Sequence, residues 1–414
     1  MAEERIKKSA RWRNLVLFLS VLGPGIITAN VDNDAGGIAT YSIAGAHFGY
    51  DLLWAVVPVV FVLIVVQEMS ARMGAVTGKG LADLIRENFG AKIAFYAMCA
   101  LLLSNIGNTV SEFSGVAASL EIFGVSKYIS VPIAGVLVWL LVVKGDFKTV
   151  EKVFLVLCVF YLSYVVSGFF AKPDWSEVAT RMVEPRIKFD TKYLYMLIGV
   201  IGTTIAPWQL FFMQASVVEK GIGVEHLKHS RFDSLIGCIM AGVVIFFIIV
   251  ACAATIHPAG IEIKTAADAA LALEPLAGHY CSLLFSFGLL NASLFAAVVL
   301  PLSVAYYVCE GLGFEAGVNK RFSEAPQFYA IFTATILIGM GLVLIPNFPL
   351  FTMMVMTQVV NGIVLPFMLI FMVLLINRKE IMADFTNGRL WNFVSWFTIA
   401  AVIALTLLMF GEYL

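Results

Sequence analysis

Apolar runs separated by short polar segments divide the chain into eleven parts. A helix needs about 20 apolar residues to cross the hydrocarbon core of a bilayer, and each run is near or above that length. Transmembrane β-strands would be shorter and would alternate apolar and polar residues, which these runs do not. The pattern therefore predicts an all-α polytopic membrane protein. The predicted spans, numbered 1 to 11 in chain order, are residues 14–47, 50–71, 93–120, 128–143, 153–171, 193–218, 232–256, 280–312, 327–345, 348–377 and 391–412.

Composition agrees with this pattern and excludes several classes of protein. Of the 414 residues, 60% are hydrophobic and 13% are charged. Soluble domains average about 45–50% hydrophobic residues and about 25% charged residues. A soluble enzyme is therefore excluded, and a net charge of −1 gives no attraction for nucleic acid. The six cysteines form no C-x-x-C pair, so we expect small buried side chains in place of disulfides or zinc ligands.

The distribution of basic residues predicts the orientation in the membrane. With a cytoplasmic N-terminus, 20 of the 27 Lys and Arg residues fall in cytoplasmic segments and 7 fall outside, five of them in the loop after span 5. The excess of positive charge inside supports this orientation and places the C-terminus outside. We expect the plasma (cell inner) membrane as the location. The first thirteen residues are charged and lead into a full span, which is unlike a cleavable signal peptide.

Eleven spans divide into two units of five and one extra helix. Spans 1–5 (residues 14–171) begin inside and spans 6–10 (residues 193–377) begin outside, so the two units would be inverted relative to each other. Inverted repeats are typical of secondary transporters, whose first helices are broken at the substrate site. The short loops leave room for a single transmembrane transporter domain over residues 1–414, with 391–412 as the extra helix.

Both expected breaks have a sequence signal. Span 1 contains Gly23-Pro24-Gly25 and then Asp32-Asn33-Asp34-Ala35-Gly36-Gly37, and span 6 contains Gly202-Thr203-Thr204-Ile205-Ala206-Pro207. Unwound backbone at membrane depth is tolerated only where it lines a cavity or is buried in protein. Gly and Pro at one site alone would equally suit a kink or close helix packing. Two breaks at corresponding positions favour a binding site.

Two carboxylates accompany the break in span 1. An Asp at the centre of a span costs about 2.5–3.5 kcal/mol on insertion scales and is a functional candidate by default. No Lys or Arg is near Asp34 in the sequence, so a cation is the expected partner, with backbone carbonyls adding oxygen ligands. Alternatively, Asp34 caps the second half-helix. Asp32 is a weaker candidate, because it would also be stable facing a water-filled vestibule.

Two further spans carry polar stripes. In span 3 and in span 10 the polar residues recur at helical spacing, so each set shares one helix face. The side-chain amides would suit a transport pathway and interhelical hydrogen bonds equally well. The carboxylate of Glu112 in span 3 favours a role in the pathway. Glu68 near the end of span 2 would snorkel or form a cytoplasmic ion pair. The stripe residues are Asn105, Asn108, Thr109 and Glu112, and Thr357, Gln358 and Asn361.

The five histidines lie in predicted loops or at span ends. A buried proton relay or a His-rich transition-metal site at mid-membrane is therefore unsupported. A membrane-embedded metalloenzyme would need a His/Glu cluster, and a receptor-like sensor would need an output domain. We therefore expect a transporter and no enzyme activity.

Several segments resemble the Nramp family of divalent metal transporters, in order and over nearly the whole chain. The resemblance implies the fold argued above, of the LeuT type, with metal held between broken spans 1 and 6. The segments are Gly23-Pro24-Gly25, 34–40, 44–54, 71–86, 110–115, 149–152, Pro207, Glu310-Gly311, Gln358 and 365–367.

The chain departs from the family pattern at the positions that bind metal. The family's Asp-Pro-Gly-Asn reads Asp34-Ala35-Gly36-Gly37 here, so the ligating Asn is replaced by glycine. The family's Met-Pro-His-Asn reads Ala206-Pro207-Trp208-Gln209, without the metal-binding Met or the His associated with proton movement. Met213 replaces a second His, and Thr109 replaces an acid one turn before Glu112. These departures resemble the Nramp-related magnesium transporter branch.

The remaining ligand set predicts a hard cation. The residue patterns and the resemblance together predict ligands at Asp34, Val31, Gly37, Thr203, Ala206 and Gln209, and a pathway lined by Asp32, Asn108, Thr109, Glu112, Trp208, Thr357, Gln358 and Asn361. Oxygen ligands without a thioether suit Mg²⁺, which keeps several waters, and the lost side chains are expected to enlarge the site. We therefore predict transport of Mg²⁺, and also Mn²⁺, into the cytoplasm by alternating access with weak or no proton coupling. The alternative is a proton-coupled Mn²⁺/Fe²⁺ transporter of the ordinary family type. No cofactor is expected; the partners are the transported cation and membrane lipid, and a monomer is plausible.

Overall fold

The computed structural model describes residues 23–144, 162–274 and 278–411. Within these ranges the chain forms helices and short 3₁₀ turns, and no strand. The α-helices are α1 (Pro24–Asn30), α2 (Ala35–Phe48), α3 (Leu53–Thr77), α4 (Leu81–Phe89), α5 (Ala91–Glu121), α6 (Lys127–Lys144), α7 (Leu162–Phe170), α8 (Trp175–Val183), α9 (Thr191–Thr204), α10 (Pro207–Glu219), α11 (Leu227–Ala259), α12 (Ala266–Ala270), α13 (Cys281–Leu312), α14 (Pro326–Val343), α15 (Leu350–Ile376), α16 (Lys379–Met382) and α17 (Arg389–Gly411).

The predicted spans correspond closely to the long helices. In the described ranges, nine helical segments are long and apolar enough to cross a membrane, and they match spans 2–4 and 6–11. The main discrepancies are the end of span 2, predicted at residue 71 and observed at Thr77, and the start of span 7, predicted at residue 232 although α11 begins at Leu227. Predicted spans 14–47 and 153–171 extend outside the described residues, as does segment 149–152, so the count of eleven stays a prediction. Of the five cysteines in the described ranges, four are buried, as expected, and Cys99 is half-buried.

Span 1 is unwound at the predicted break. Helix α1 ends at Asn30, a 3₁₀ turn follows over Val31–Asn33, and Asp34 is extended with φ −68° and ψ −177° before α2 begins. The helix begins again at Ala35 because Asp34 caps its N-terminus, and Asp is among the best N-cap residues. A kink alone would have kept the helix continuous, so the prediction of a break is confirmed.

Span 6 is also broken. Helix α9 ends at Thr204, Ile205 and Ala206 are non-helical, and α10 begins at Pro207. Proline suits the first helical position because the N–H that it lacks would have no intrahelical partner there. The two breaks are therefore explained by a capping carboxylate in one span and by a proline in the other.

Small residues bring the broken helices close to their neighbours. A Cβ on Gly25 of α1 would overlap the backbone of Ser234 in α11, and one on Gly202 of α9 would overlap the Gln358 carbonyl oxygen in α15. Helix α11 packs along α1 and α2, while α15 packs against α5 and α9. Small residues at such contacts allow close backbone approach in membranes. Both breaks consequently lie inside the helix bundle.

A buried carboxylate on another helix caps α1. Asp233 of α11 is fully buried, and its carboxylate accepts hydrogen bonds from the N–H groups of Gly23 at 3.1 Å, Gly25 at 2.7 Å and Ile26 at 3.4 Å. The first N–H groups of a helix have no intrahelical partner, and the positive end of its dipole favours an anion. Asp233 therefore links the N-terminal end of α1, the first half of span 1, to α11, which corresponds to span 7.

Glu68 forms the ion pair that was one of its two predicted roles. Its carboxylate contacts Arg72 at 3.0 Å and Arg231 at 2.8 Å. Arg72, predicted in a polar segment after span 2, instead lies inside α3 and is 3% exposed. It also donates to the Phe385 carbonyl and to Asn387, each at 2.6 Å. These bonds compensate the burial of its charge.

Candidate metal site at the two helix breaks

Asp34 lies at the junction of the break and α2. Its Oδ1 accepts a hydrogen bond from the N–H of Gly37 at 2.6 Å, and the side chain is 4% exposed. The predicted alternative, a cap on the second half-helix, is therefore confirmed. A carboxylate offers about four lone-pair sites, so capping leaves capacity for a further partner.

Asp32 is joined across the two breaks to Gln209 of α10. The Gln209 Nε2 group donates to Asp32 Oδ1, and both side chains are 1% exposed. An open water-filled vestibule, the alternative given for Asp32, is wrong for this conformation because the side chain is buried. Asp32 Oδ2 and Gln209 Oε1 are buried and have no hydrogen-bond partner. Two oxygens that face no protein donor therefore lie on the linked side chains.

Gly37 and Thr203 are in direct proximity. A Cβ on Gly37 would lie 3.1 Å from Thr203 Oγ1 and would overlap the carbonyl oxygen of Asp32. The expectation that glycine enlarges the site is not met at this position, because the backbone of the first break takes the space. Thr203 Oγ1 is buried and has no hydrogen-bond partner. Glycine thus permits the first break to close onto span 6.

Backbone carbonyls of both breaks retain bonding capacity. The Val31 carbonyl accepts from the N–H of Asp34 at 3.0 Å, and the Ala206 carbonyl accepts from the N–H of Gln209 at 3.1 Å. A carbonyl oxygen has two lone pairs, so one bond leaves another available. The predicted ligand positions Val31 and Ala206 can therefore still bind a cation through their backbone carbonyl oxygens.

Asn33 was missed by the sequence analysis. It is fully buried between the two acids of the break, and neither atom of its side-chain amide has a hydrogen-bond partner. Buried amides normally have partners. The available signal was its position, since a polar residue between Asp32 and Asp34 in an apolar span is costly unless it has a role.

Glu112 of α5 reaches the same break. Its Oε2 accepts from the N–H of Ala35 at 3.2 Å, and Asp34 Oδ1 accepts from the N–H of Gly37 in the same first turn of α2. Its Oε1 is buried without a partner. Two adjacent carboxylates repel each other unless a proton or a cation compensates one charge. This contact connects the span 3 stripe to span 1.

The amides of the two stripes bond to each other. Asn361 Nδ2 donates to Asn108 Oδ1 and to Gln358 Oε1, each at 2.9 Å. Asn108 Nδ2 donates to Asn361 Oδ1 at 3.0 Å and to Asn105 Oδ1 at 2.9 Å. Interhelical hydrogen bonding, one of the two predicted roles of these amides, is therefore confirmed.

The hydroxyl groups of the stripes bond to their own helices. Thr109 Oγ1 donates to the Asn105 carbonyl at 2.9 Å, and Thr357 Oγ1 donates to the Met354 carbonyl at 3.0 Å. These bonds to the preceding turn satisfy the hydroxyl donors locally. Neither side chain is exposed by more than 4%. In this conformation the two threonines are buried and face no open pathway.

Trp208 and Met213 fill protein interior on α10. Trp208 is 2% exposed and its ring lies 6.1 Å from that of Phe212. Met213 is fully buried, with its sulfur 3.8 Å from Thr28 Oγ1 on α1. Neither side chain can titrate, so any proton at this site would be carried by a carboxyl group.

The potential metal ligands at the two breaks are oxygen atoms. In the ranges that the structure describes, no group of three or more His, Cys, Asp or Glu side chains is placed to hold a metal ion. Unpartnered, buried side-chain oxygens belong to Asp32 in the first break, Thr203 at the end of α9 and Gln209 at the start of α10. Carboxylate, amide, hydroxyl and carbonyl oxygens suit hard cations.

Comparisons with known proteins agree with this architecture. Residues 25–412 match the sequence profile "Nramp: Natural resistance-associated macrophage protein-like". The divalent metal cation transporter MntH of Klebsiella pneumoniae is 26% identical over 416 residues, covering 98% of this chain and 97% of that protein.

Solved structures show the same fold. The manganese transporter of Eremococcus coleocola, in complex with an aromatic bis-isothiourea substituted compound, has a TM-score of 0.80 at 21% identity over 95% of this chain and 85% of that one. The nucleobase-cation-symport-1 transporter Mhp1 in a closed conformation has a TM-score of 0.57 at 13% identity, covering 94% and 93%. The profile match over most of the sequence, together with the two broken helices, shows that the chain belongs to the Nramp family.

Proposed function

We propose that this protein transports divalent cations across the membrane, with Mg²⁺ as the main substrate and Mn²⁺ as a second one. The observation that carries the proposal is the set of buried, unpartnered oxygens of Asp32, Thr203 and Gln209 at the two breaks, the first of which ends at Asp34. The hydrogen bonds and ion pairs found at these breaks, among the residues the structure describes, include no Lys or Arg partner for the two aspartates. A bound cation would compensate their charge, and a proton on one carboxyl group is the alternative.

The preference for Mg²⁺ rests on the donor set. Ala206 and Gly37 supply no side-chain ligand, and the oxygens available belong to Asp34, its backbone neighbours, Thr203 and Gln209. A soft thioether would favour transition metals, whereas oxygen-only sites suit Mg²⁺. We propose movement into the cytoplasm by alternating access of two inverted repeats, residues 14–171 and 193–377, with the N-terminus inside.

Comparison of Mg²⁺ and Mn²⁺ uptake in liposomes containing the purified protein tests this proposal. We expect the two ions to compete at comparable concentrations, and Asp34→Asn to remove both fluxes. The matched control is Asp174→Asn, which changes an exposed cap carboxylate at the start of α8. Preference for Mn²⁺ over Mg²⁺ by about a thousandfold, roughly 4 kcal/mol of differential binding, would contradict the hard-ion proposal.

A proton-coupled Mn²⁺/Fe²⁺ transporter is the second candidate. It is favoured by the placement of the Asp34 and Glu112 carboxyl groups at the same first turn of α2, because one proton or one cation could compensate the pair. The names of the relatives, a divalent metal cation transporter and a manganese transporter, are consistent with this alternative.

Weak coupling remains our preference for a structural reason. Trp208 and Met213 are buried on α10, and neither can pass on a proton from Glu112. A pH-sensitive dye inside the liposomes distinguishes the two candidates when external Mg²⁺ or Mn²⁺ is added at a fixed membrane potential. We expect metal entry without acidification. Acidification that follows metal entry, is absent from empty liposomes and is lost in Glu112→Gln would favour the coupled transporter.

A further inference from the structure

A large apolar groove lies between α17, α3 and α9. Its volume is about 610 Å³, and its lining includes Trp54, Pro58, Ile205, Ala401 and Leu405. Among the nine membrane-crossing segments of the described ranges, α17 is the least buried, at 28% of its apolar window. The groove therefore exists because the last helix packs incompletely against the bundle.

The dimensions of the groove match one acyl chain. The lining extends from Trp54 to Val62 on α3 and from Phe393 to Leu408 on α17, which correspond to about 12 Å and about 22 Å of helix at 1.5 Å per residue. One leaflet of the hydrocarbon core is about 15 Å thick, half of the roughly 30 Å total. A groove of this length holds the chain of a lipid from one leaflet.

Two basic residues flank a residue of the groove lining in the sequence. Ile187 is part of the lining, and it stands between Arg186 and Lys188 in the sequence. Arg186 is exposed, and Lys188 remains 51% exposed at its side chain while it pairs with Asp51 at 2.8 Å. Basic residues near a membrane surface attract anionic lipid headgroups, and the charge of Lys188 is partly offset by Asp51.

The groove also reaches the break in span 6. Ile201 and Ile205 line it, and Ile205 is the first residue after the end of α9 at Thr204. An apolar molecule in the groove would contact the segment next to Ala206 without touching the candidate metal site. Occupancy is thus able to bias the conformation of the break.

From the groove, its length and the flanking charge, we infer that one anionic phospholipid binds here, with an acyl chain between α17, α3 and α9 and its headgroup at Arg186 and Lys188. This inference is independent of which ion is transported. A bound lipid stabilises the folded state by mass action and supports the buried arrangement of Ile205.

Added lipid tests the inference through thermal unfolding of the purified full chain in detergent. We expect phosphatidylglycerol to raise the Tm more than phosphatidylcholine does. Native mass spectrometry is expected to show one retained phosphatidylglycerol. Ala401→Trp fills the groove and should remove both effects, whereas Leu407→Trp on the same helix, 66% exposed and outside the groove, should keep them.

A second pair of variants tests the headgroup without altering helix packing. The double change Arg186→Gln and Lys188→Gln should reduce the Tm difference between the two lipids, while Lys172→Gln, another basic residue of the same loop region, should not. Equal effects of both lipids on the native chain would overturn the anionic headgroup. A retained lipid in Ala401→Trp, or no Tm rise in the native chain, would overturn the groove as the binding site. If Ala401→Trp fails to fold, the headgroup variants still decide the outcome.

Discussion

Asn108 and Asn361 exchange hydrogen bonds through their side-chain amides, with Asn361 Nδ2 2.9 Å from Asn108 Oδ1 and Asn108 Nδ2 3.0 Å from Asn361 Oδ1. The pair joins α5 to α15 in the interior of the bundle, and both side chains are 1% exposed. Because each amide donor faces an acceptor on the other helix, the pair holds α5 and α15 at one relative position along their axes and at one relative rotation.

Removal of this pair is expected to have a modest effect on stability. In a double-mutant cycle with Asn108→Leu and Asn361→Leu, the coupling free energy should be about 0.6 kcal/mol and no more than about 1.7 kcal/mol. Reversible unfolding in bicelles measures it. Loss of ion flux in a well-folded single variant would instead indicate that the amides contact the ion.

Substitution of Asp34 by Asn separates charge from capping. Asn and Asp are about equally good N-cap residues, so α2 should form and the Tm should be nearly unchanged. Divalent-ion flux should fall by at least about tenfold, because the carboxylate no longer offsets the lost hydration of the cation. Asp34→Ala, which also removes the cap on Gly37 N, should lower both the flux and the Tm. Undiminished flux in Asp34→Asn would remove Asp34 from the site.

A methionine at position 206 is expected to leave selectivity largely unchanged. Ala206→Met introduces a soft ligand, but Gly37 lacks the family's amide, and its Cβ position is taken by the Asp32 carbonyl. The ratio of Mg²⁺ to Mn²⁺ uptake should therefore shift by less than about tenfold, or roughly 1.4 kcal/mol. Competition uptake assays measure the ratio, with Ala206→Leu as the size-matched control. A much larger shift toward Mn²⁺ would show that the thioether alone controls selectivity.

The cap on α1 gives a stability prediction. Asp233→Asn keeps one acceptor oxygen but presents an NH₂ group to the N–H groups of Gly23, Gly25 or Ile26. A buried unsatisfied donor costs about 1–3 kcal/mol, so the Tm should decrease. Asp190→Asn changes the exposed cap of α9, which accepts from Tyr193 N at 3.0 Å, and should have a much smaller effect. Equal effects of the two variants would show that burial of Asp233 has no energetic consequence.

Two ion pairs that differ in burial are expected to differ in their contribution to stability. Arg72→Gln leaves Glu68 with one basic partner, and breaking a buried pair costs about 3–5 kcal/mol. Lys79→Gln breaks the exposed contact with Glu87 at 2.7 Å and should cost about 0–1 kcal/mol. Chemical unfolding in mild detergent compares the two variants. A smaller loss for Arg72→Gln than for Lys79→Gln would contradict the compensation described for Arg72.

Local patterns were sufficient for the helices and the breaks. Apolar runs predicted the spans because a bilayer-crossing helix needs one continuous apolar stretch, and Pro207 predicted the restart of span 6 because its ring is disfavoured in a helix interior. The lining of the candidate site was less predictable. Asp32 meets Gln209 across 177 positions, and Asp233 caps Gly25 across 208. Such contacts follow from helix packing, which no local window of sequence contains.

Gln358 packs against both breaks at one level of α15. Its side-chain Nε2 occupies the position that a Cβ on Gly36 would take, and its carbonyl oxygen does the same at Gly202. The two broken spans therefore pack against the same turn of α15. A displacement of either span requires that turn to move or to repack. Their rearrangements should occur as one concerted event with a single kinetic phase. Fluorescence probes attached near each break would report the same rate constant.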